Sequence, residues 1–175
     1  MEKFVNILIV EPSAERQKIL RRSLRMAGNI LLFVPSLEEA ENTLASRNIG
    51  IVIISSIYRH ESKIVQRLKK SESSHKAYFI ALLNKEEEED AHLALGTGFI
   101  DYLCWPLDTN IVKAKIRIYR SLFLKDQRIG DLLSNIFPEE ILTELNVSNK
   151  FSPKRVEKGV VLFTDLVQFS NKSKD

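Results

Sequence analysis

The first two-thirds of the chain alternates strand-like and helix-like segments, and this alternation limits the accessible folds more than any other feature. Ile51-Val-Ile-Ile54 is the clearest strand, because a run of β-branched residues suits a parallel strand covered on both faces. After Ser13 the apolar positions instead recur at helical spacing until Gly28. The sequence predicts strands over residues 4–10, 30–34, 51–54, 77–83 and 99–103, each followed by a helix.

Strands interleaved with helices in this way predict an α/β fold, a doubly wound five-stranded parallel sheet with right-handed crossovers. The favoured strand order is the flavodoxin-like 2-1-3-4-5, and in such folds the functional cleft lies at the carboxyl ends of the strands. Those ends carry Glu11, Ser55, Leu83 or Asn84, and Cys104-Trp105. We therefore expect the functional site to be built from these residues.

A long helix is predicted to follow Asp108, because no proline interrupts the chain until Pro138. Its apolar residues cover more than one face, so one stripe docks on the sheet and a second is left over. A leftover apolar stripe usually marks a partner helix. We expect a homodimer through this helix and its extension, with the interface at Ile111, Ile118, Leu122 and Phe123.

Composition excludes several classes of protein. The 175 residues carry a formal net charge of +3, which is too little to argue for a nucleic-acid partner. The single cysteine, Cys104, leaves no internal disulfide and fits a reducing compartment. No segment approaches the roughly 20 apolar residues of a membrane helix, and residues 4–10 lack the flanks of a signal peptide. We expect a cytoplasmic protein with neither a nucleic-acid nor a membrane partner.

Three segments resemble the receiver domains of response regulators over the first ~120 residues. They are ILIVEPSAERQKIL at 7–20, IVIISS at 51–56 and ALGTGFIDYLCWPL at 94–107. The last is similar to the family pattern Ala-Gly-Ala-x-x-Tyr-Leu-x-Lys-Pro, and it places Tyr102 where the family keeps an aromatic residue that switches rotamer. The resemblance implies a domain that accepts a phosphoryl group on an aspartate.

The residues that this chemistry needs are mostly replaced. The family's acidic pair reads Glu11-Pro12, its acceptor aspartate reads Ser55, its hydroxyl residue aligns with Leu83 and its lysine with Trp105. Phosphoryl transfer needs a charged nucleophile, carboxylates that hold Mg²⁺ and a cation on the transferred group. Only Glu11 keeps its charge, so we expect a degenerate, non-phosphorylatable site with no cofactor.

The tail resembles the entrance of a class III adenylate or guanylate cyclase domain. Residues 132–141, LLSNIFPEEI, and 160–170, VVLFTDLVQFS, follow the family's order and spacing. The resemblance implies that Asp165 and the carbonyl of Leu166 bind metal, Mg or Mn with a nucleoside triphosphate, in a complete cyclase domain. Gln168 departs from the family's glycine. The other catalytic residues of the family would lie further on, so we expect a piece of a longer protein that is inactive by itself.

The resulting domain prediction is a receiver-like domain at 1–124, a signalling helix and linker at 125–155, and the truncated start of a cyclase domain at 156–175. The favoured function is a regulatory module that controls or dimerises a cyclase of the same chain in response to an unidentified protein or small molecule. One alternative is a phosphorelay receiver that accepts a phosphoryl group. Another is a cyclase activity of the full-length protein, and the choice between cyclic AMP and cyclic GMP stays open.

Overall fold

The computed structural model describes residues 4–58, 63–69, 76–148, 150 and 160. Its strands are β1 (Val5–Val10), β2 (Asn29–Val34), β3 (Ile51–Ser55), β4 (Tyr78–Asn84) and β5 (Asp101–Trp105). They form one parallel sheet in the order β2-β1-β3-β4-β5. The predicted fold class and strand order are therefore confirmed.

Helices follow the strands in the described parts of the chain. They are α1 (Ala14–Leu24), α2 (Leu37–Ser46), α3 (Ile64–Leu68), α4 (Ala91–Gly96), α5 (Thr109–Ser134) and α6 (Glu139–Ser148), with 3₁₀ segments at Ser56–Tyr58 and Lys85–Asp90. Serine side chains cap the first two helices, where Ser13 accepts a hydrogen bond from Arg16 N and Ser36 accepts one from Glu39 N. None of the described helices is both long and apolar enough to span a lipid bilayer.

The core has two layers, one on each face of the sheet. One layer joins the strands to Leu20 and Leu24 of α1 and to Val112 and Ile116 of α5. The other layer joins them to buried residues of α2, α3 and α4. Both faces of the sheet are therefore covered, as the apolar strand sequences require. The chain divides into two compact units at residues 1–132 and 133–175.

Within the first unit, the buried residues of helix α5 are Val112, Ile116 and Phe123. The prediction that Phe123 lies in a dimer interface is wrong, because this side chain is only 3 % exposed and packs within its own domain. Its ring lies over Gly50, where an added Cβ would come within 2.8 Å of Phe123 Cδ1. Ile111, Ile118 and Leu122 are exposed and form the second stripe.

Polar contacts join α5 to β4 and β5. Lys115 Nζ donates to Asp101 Oδ1 at 2.8 Å, and Tyr119 donates to Asp101 Oδ2 at 3.1 Å. Tyr78 donates to Asp126 Oδ2 at 2.7 Å, and the two tyrosine rings lie 5.6 Å apart. Burial, the hydrogen bond to Asp126 and its charge raise the pKa of Tyr78 to about 12. Burial, the charge of Asp101 and its hydrogen bond raise the pKa of Tyr119 to about 12.

These two tyrosines predict a loss of stability in alkali. Unfolded tyrosine ionises near pH 10, whereas the folded groups hold their protons until about pH 12, so the folded state binds more protons between these values. Their contribution is complete below about pH 10 and falls as the pH rises to about 12. Urea unfolding measured from pH 10 to about pH 12 should show that the free energy of unfolding falls more steeply with pH for the wild type than for Tyr78→Phe/Tyr119→Phe. Equal slopes would contradict the prediction.

Gly50 is a second point at which the packing can be tested. A Cβ there would lie 2.6 Å from Val5 Cγ1 as well as against Phe123, so Gly50→Ala should lower the free energy of unfolding by about 1–3 kcal/mol through overpacking. Gly96 is the matched control, since a Cβ at that position meets nothing within 4 Å. Chemical denaturation of Gly50→Ala and Gly96→Ala measures the two changes in the free energy of unfolding. Equal changes would contradict the close packing of Val5 and Phe123 around Gly50.

Candidate functional site at the strand ends

The carboxyl ends of four strands bring Glu11, Ser55, Asn84 and Trp105 to one face of the sheet. Residues two before each of them, such as Ile53 and Leu103, belong to the core layer under α1 and α5. A cleft of about 500 Å³ opens at this edge, lined by Glu11, Pro12, Ser13, Arg16, Ser55, Ser56, Ile57, Asn84 and Glu87. A second cleft of about 490 Å³ reaches Trp105 and Pro106 and shares Ser13, Arg16 and Asn84 with the first.

Leu83 does not line either cleft. Its side chain is buried in the core layer on the opposite face, because side chains alternate along a strand. Leu82 pairs with Ser55, so Asn84, two residues further along β4, lies on the face of Ser55, and it pairs in register with Trp105. Asn84 therefore takes the position that the sequence alignment gave to Leu83.

Asn84 connects the elements around the cleft. Its backbone N donates to Glu87 Oε2 at 2.8 Å, and its Nδ2 donates to the same oxygen at 3.1 Å and to Ser56 Oγ at 3.2 Å. Its Oδ1 accepts a hydrogen bond of 2.8 Å from Arg16 Nη2. Through one amide, α1, β4 and the two 3₁₀ segments are held together.

Arg16 supplies a cation that the sequence analysis missed. Its guanidinium carbon lies 5.2 Å from the centre of the Trp105 ring, a cation–π geometry, and its Nη1 lies 4.0 Å from Glu11 Oε2. In the sequence Arg16 is one of several basic residues of α1. The signal that could have found it is its place in the first turn after β1, directly beside the strand ends.

Glu11 is a buried carboxylate, 2 % exposed. Its Oε1 accepts a hydrogen bond of 2.9 Å from Ser13 N, and its backbone oxygen accepts one of 2.7 Å from Gln17 Nε2. No described residue donates a hydrogen bond to Oε2, and the 4.0 Å separation from Arg16 is too long for one. The interaction of this carboxylate with Arg16 is therefore mainly electrostatic.

The donor set of the cleft does not fit Mg²⁺. A magnesium ion prefers carboxylate oxygens and an anionic environment. Here Pro12 offers no side-chain ligand, and Ser55 is neutral. Glu87 Oε2 accepts hydrogen bonds from Asn84, and the guanidinium of Arg16 places positive charge near the buried carboxylate of Glu11. Among the described residues, no three His, Cys, Asp or Glu side chains are grouped so as to hold a metal ion.

The aromatic residues of β5 lie on opposite faces. Trp105 precedes a cis peptide bond to Pro106, and its Nε1 is buried without a hydrogen-bond partner among the described residues. Tyr102 is partly buried against the core layer under α2, α3 and α4, with Lys115 Nζ 4.9 Å from its ring centre. The predicted metal-binding residues Asp165 and Leu166 lie outside the described residues.

The sheet and its strand-end cleft define an α/β domain with the fold of receiver domains. No protein-family model matches the chain. An uncharacterised 14.6-kDa protein of Leptolyngbya boryana is 29% identical over 107 residues, which are 59% of this chain and 81% of the relative.

Two solved structures illustrate the similarity of fold. An adenylate cyclase from Rhodopirellula baltica has a TM-score of 0.63 at 17% identity and aligns with 75% of this chain and 98% of its own. The receiver domain of a sensor histidine kinase from Pseudomonas aeruginosa has a TM-score of 0.56 at 19% identity, over 69% of this chain and 98% of its own. The cleft of the latter coordinates a magnesium ion.

Proposed function

We propose that this chain is a receiver-like regulatory module that takes up no phosphoryl group and controls and dimerises a class III adenylate or guanylate cyclase domain on its C-terminal side. The cytoplasm is the proposed compartment. The observation that carries the proposal is the composition of the strand-end cleft, where Ser55, Pro12 and Trp105 occupy the positions that phosphoryl transfer needs.

The cleft supports this proposal on electrostatic grounds. A phosphorylated receiver needs an anionic acceptor, and the charge that arrives on it must be met by a metal ion and a lysine. Here Ser55 carries no charge, and Arg16, a cation that lines both clefts, already contacts Asn84, Trp105 and Glu11. These contacts hold Arg16 in place without a phosphoryl group, so we propose that the signal enters elsewhere, through a protein or small molecule of unknown identity.

The cyclase part of the proposal is supported by the two segments that resemble a cyclase entrance, at residues 132–141 and 160–170. The similar fold of the Rhodopirellula baltica adenylate cyclase supports it as well. In a complete cyclase domain, Asp165 and the carbonyl of Leu166 would bind Mg or Mn with the nucleoside triphosphate. A single carboxylate holds no pair of metal ions, so the 175-residue chain should form no cyclic nucleotide.

Phosphodonor labelling tests the first part. The chain is incubated with acetyl phosphate and Mg²⁺ beside an active receiver domain, and intact masses are measured. The mass of this chain should stay unchanged while that of the active receiver increases by one phosphoryl group. An increase that is abolished by Ser55→Ala would replace the proposal with the phosphorelay alternative.

Cyclic-nucleotide formation tests the second part. A protein that continues through a whole cyclase domain should form cyclic AMP or cyclic GMP from the triphosphate, and removal of residues 1–107 should change the rate. The 175-residue chain serves as the blank. A rate that is identical with and without residues 1–107 would remove the regulatory role.

A further inference from the structure

The second apolar stripe of α5 repeats with a regular period. Ile111, Leu122 and Leu133 are eleven residues apart, and so are Ile118 and Ile129. All of them are at least 38% exposed. At 3.6 residues per turn they point within about 40° of one direction and extend over about 33 Å. An eleven-residue period, about 3.67 residues per turn, stays close to the natural turn of an α-helix, so two such helices pair with a slight right-handed supercoil.

Charges beside the stripe favour a second copy of this chain as the partner. Lys125 and Asp126 lie at nearly the same height on α5, on opposite sides of the stripe. A two-fold axis parallel to the helix brings Lys125 next to the partner's Asp126, and the reverse pair forms on the other side. Asp126 Oδ2 accepts from Tyr78, which leaves Oδ1 for the lysine. Lys125 has no ion pair with any described residue.

An antiparallel arrangement loses this match. If the helices ran in opposite directions about Leu122, Lys125 would lie opposite the level of Tyr119 rather than that of Asp126. Two other groups near the stripe place no unpaired charge in it. Lys115 is turned to its own Asp101, and Tyr119 bonds to the same carboxylate.

We infer that two copies of this chain pair through α5 in a parallel, in-register arrangement, with Ile111, Ile118, Leu122, Ile129 and Leu133 at the seam and Lys125–Asp126 ion pairs on both sides. This inference specifies the dimerisation in the proposed function. In a parallel pair, the C-terminal ends of the two α5 helices lie side by side and are related by a two-fold axis. The two proposed cyclase domains would therefore begin at symmetric positions.

Disulfide trapping tests the direction of the helices. In a Cys104→Ala background, Ile111→Cys, Leu122→Cys and Ile129→Cys are each oxidised in the full chain, with Arg117→Cys as an exposed control on another face of α5. A parallel pair should give same-residue disulfide dimers at all three stripe positions and few at the control. Dimers at position 122 alone would indicate an antiparallel pair, and no dimers would indicate no pairing. Either result overturns the inference.

Sedimentation equilibrium tests the ion pairs and the stripe. Lys125→Asp should weaken the dimer about 3- to 10-fold, and the added swap Asp126→Lys should restore it. Leu122→Glu/Ile129→Glu should sediment as a monomer with an unchanged far-UV spectrum, since both side chains are exposed. A wild-type monomer at high protein concentration, or a charge swap that fails to restore the dimer, would contradict the model.

The outcomes of these tests and of phosphodonor labelling are separable. Absent disulfide dimers together with negative labelling remove the helix pairing and leave the non-phosphorylatable cleft in place. Disulfide dimers together with a phosphorylated Ser55 remove the proposed function and keep the pairing.

Discussion

Replacing Phe123 with alanine is expected to lower the free energy of unfolding by about 3–5 kcal/mol. The ring is 3 % exposed and fills the space over Gly50 beside Val5, so its removal leaves a cavity under α5. Total stabilities of single domains are about 5–15 kcal/mol, and this one change would therefore remove a large share. Urea denaturation of the purified variant measures the effect.

Leu122→Ala is the matched control. Leu122 precedes Phe123 on the same helix but is 39% exposed, so its truncation should change the stability of a monomer by less than about 1 kcal/mol. Combining Phe123→Ala with Gly50→Ala should be milder than the sum of the two single effects, because the added methyl group enters the space left by the ring. If Phe123→Ala and Leu122→Ala lowered the free energy of unfolding equally, the assignment of Phe123 to the buried face of α5 and of Leu122 to the exposed face would be contradicted.

Replacing Arg16 with methionine is expected to lower the free energy of unfolding by about 1–3 kcal/mol. The variant loses the hydrogen bond to Asn84 and the contact with Trp105, and it leaves the buried Glu11 carboxylate without its cationic neighbour. Arg16 is 37% exposed, so solvent screens part of the interaction and the estimate stays below that for a fully buried pair.

Two variants separate the causes. Arg21→Met removes a guanidinium that lies 4.4 Å from the Phe33 ring centre and lines neither strand-end cleft, and it should lower the free energy of unfolding by only about 0.5–1 kcal/mol. Adding Glu11→Gln to Arg16→Met should recover part of the loss, because the buried charge is removed with its partner. A double variant less stable than Arg16→Met would contradict the proposed electrostatic role of Arg16.

The strands were predictable because their sequences are locally unambiguous. The run from Ile51 to Ile54 and the apolar segment of β1 allow few other structures. The segment after β4 was harder, since a predicted helix start is a 3₁₀ segment over Lys85–Asp90 followed by the short α4. Acidic side chains three or four residues apart repel one another in a helix, and the sequence pattern alone does not show how strongly.

The errors at the site and on α5 have separate causes. Two stripes of α5 are similarly apolar, so hydrophobicity alone does not decide which one docks, and Phe123 was assigned to the exposed stripe. A shift of one residue in a strand reverses the face, which is why Leu83 was chosen instead of Asn84. Arg16 was missed because its role depends on side chains that are distant in sequence, Asn84 and Trp105.

Trp105 offers the most direct measurement of the central claim, that the strand-end cleft has lost phosphoryl-transfer chemistry. It is the only tryptophan of the chain and lies against Arg16 at this cleft, so its fluorescence reports on the site alone. Titration with millimolar Mg²⁺ and beryllofluoride, a mimic of the acyl phosphate, should leave the emission unchanged, whereas Arg16→Met should shift it. A saturable change in the wild type that requires Mg²⁺ and beryllofluoride together would contradict the account.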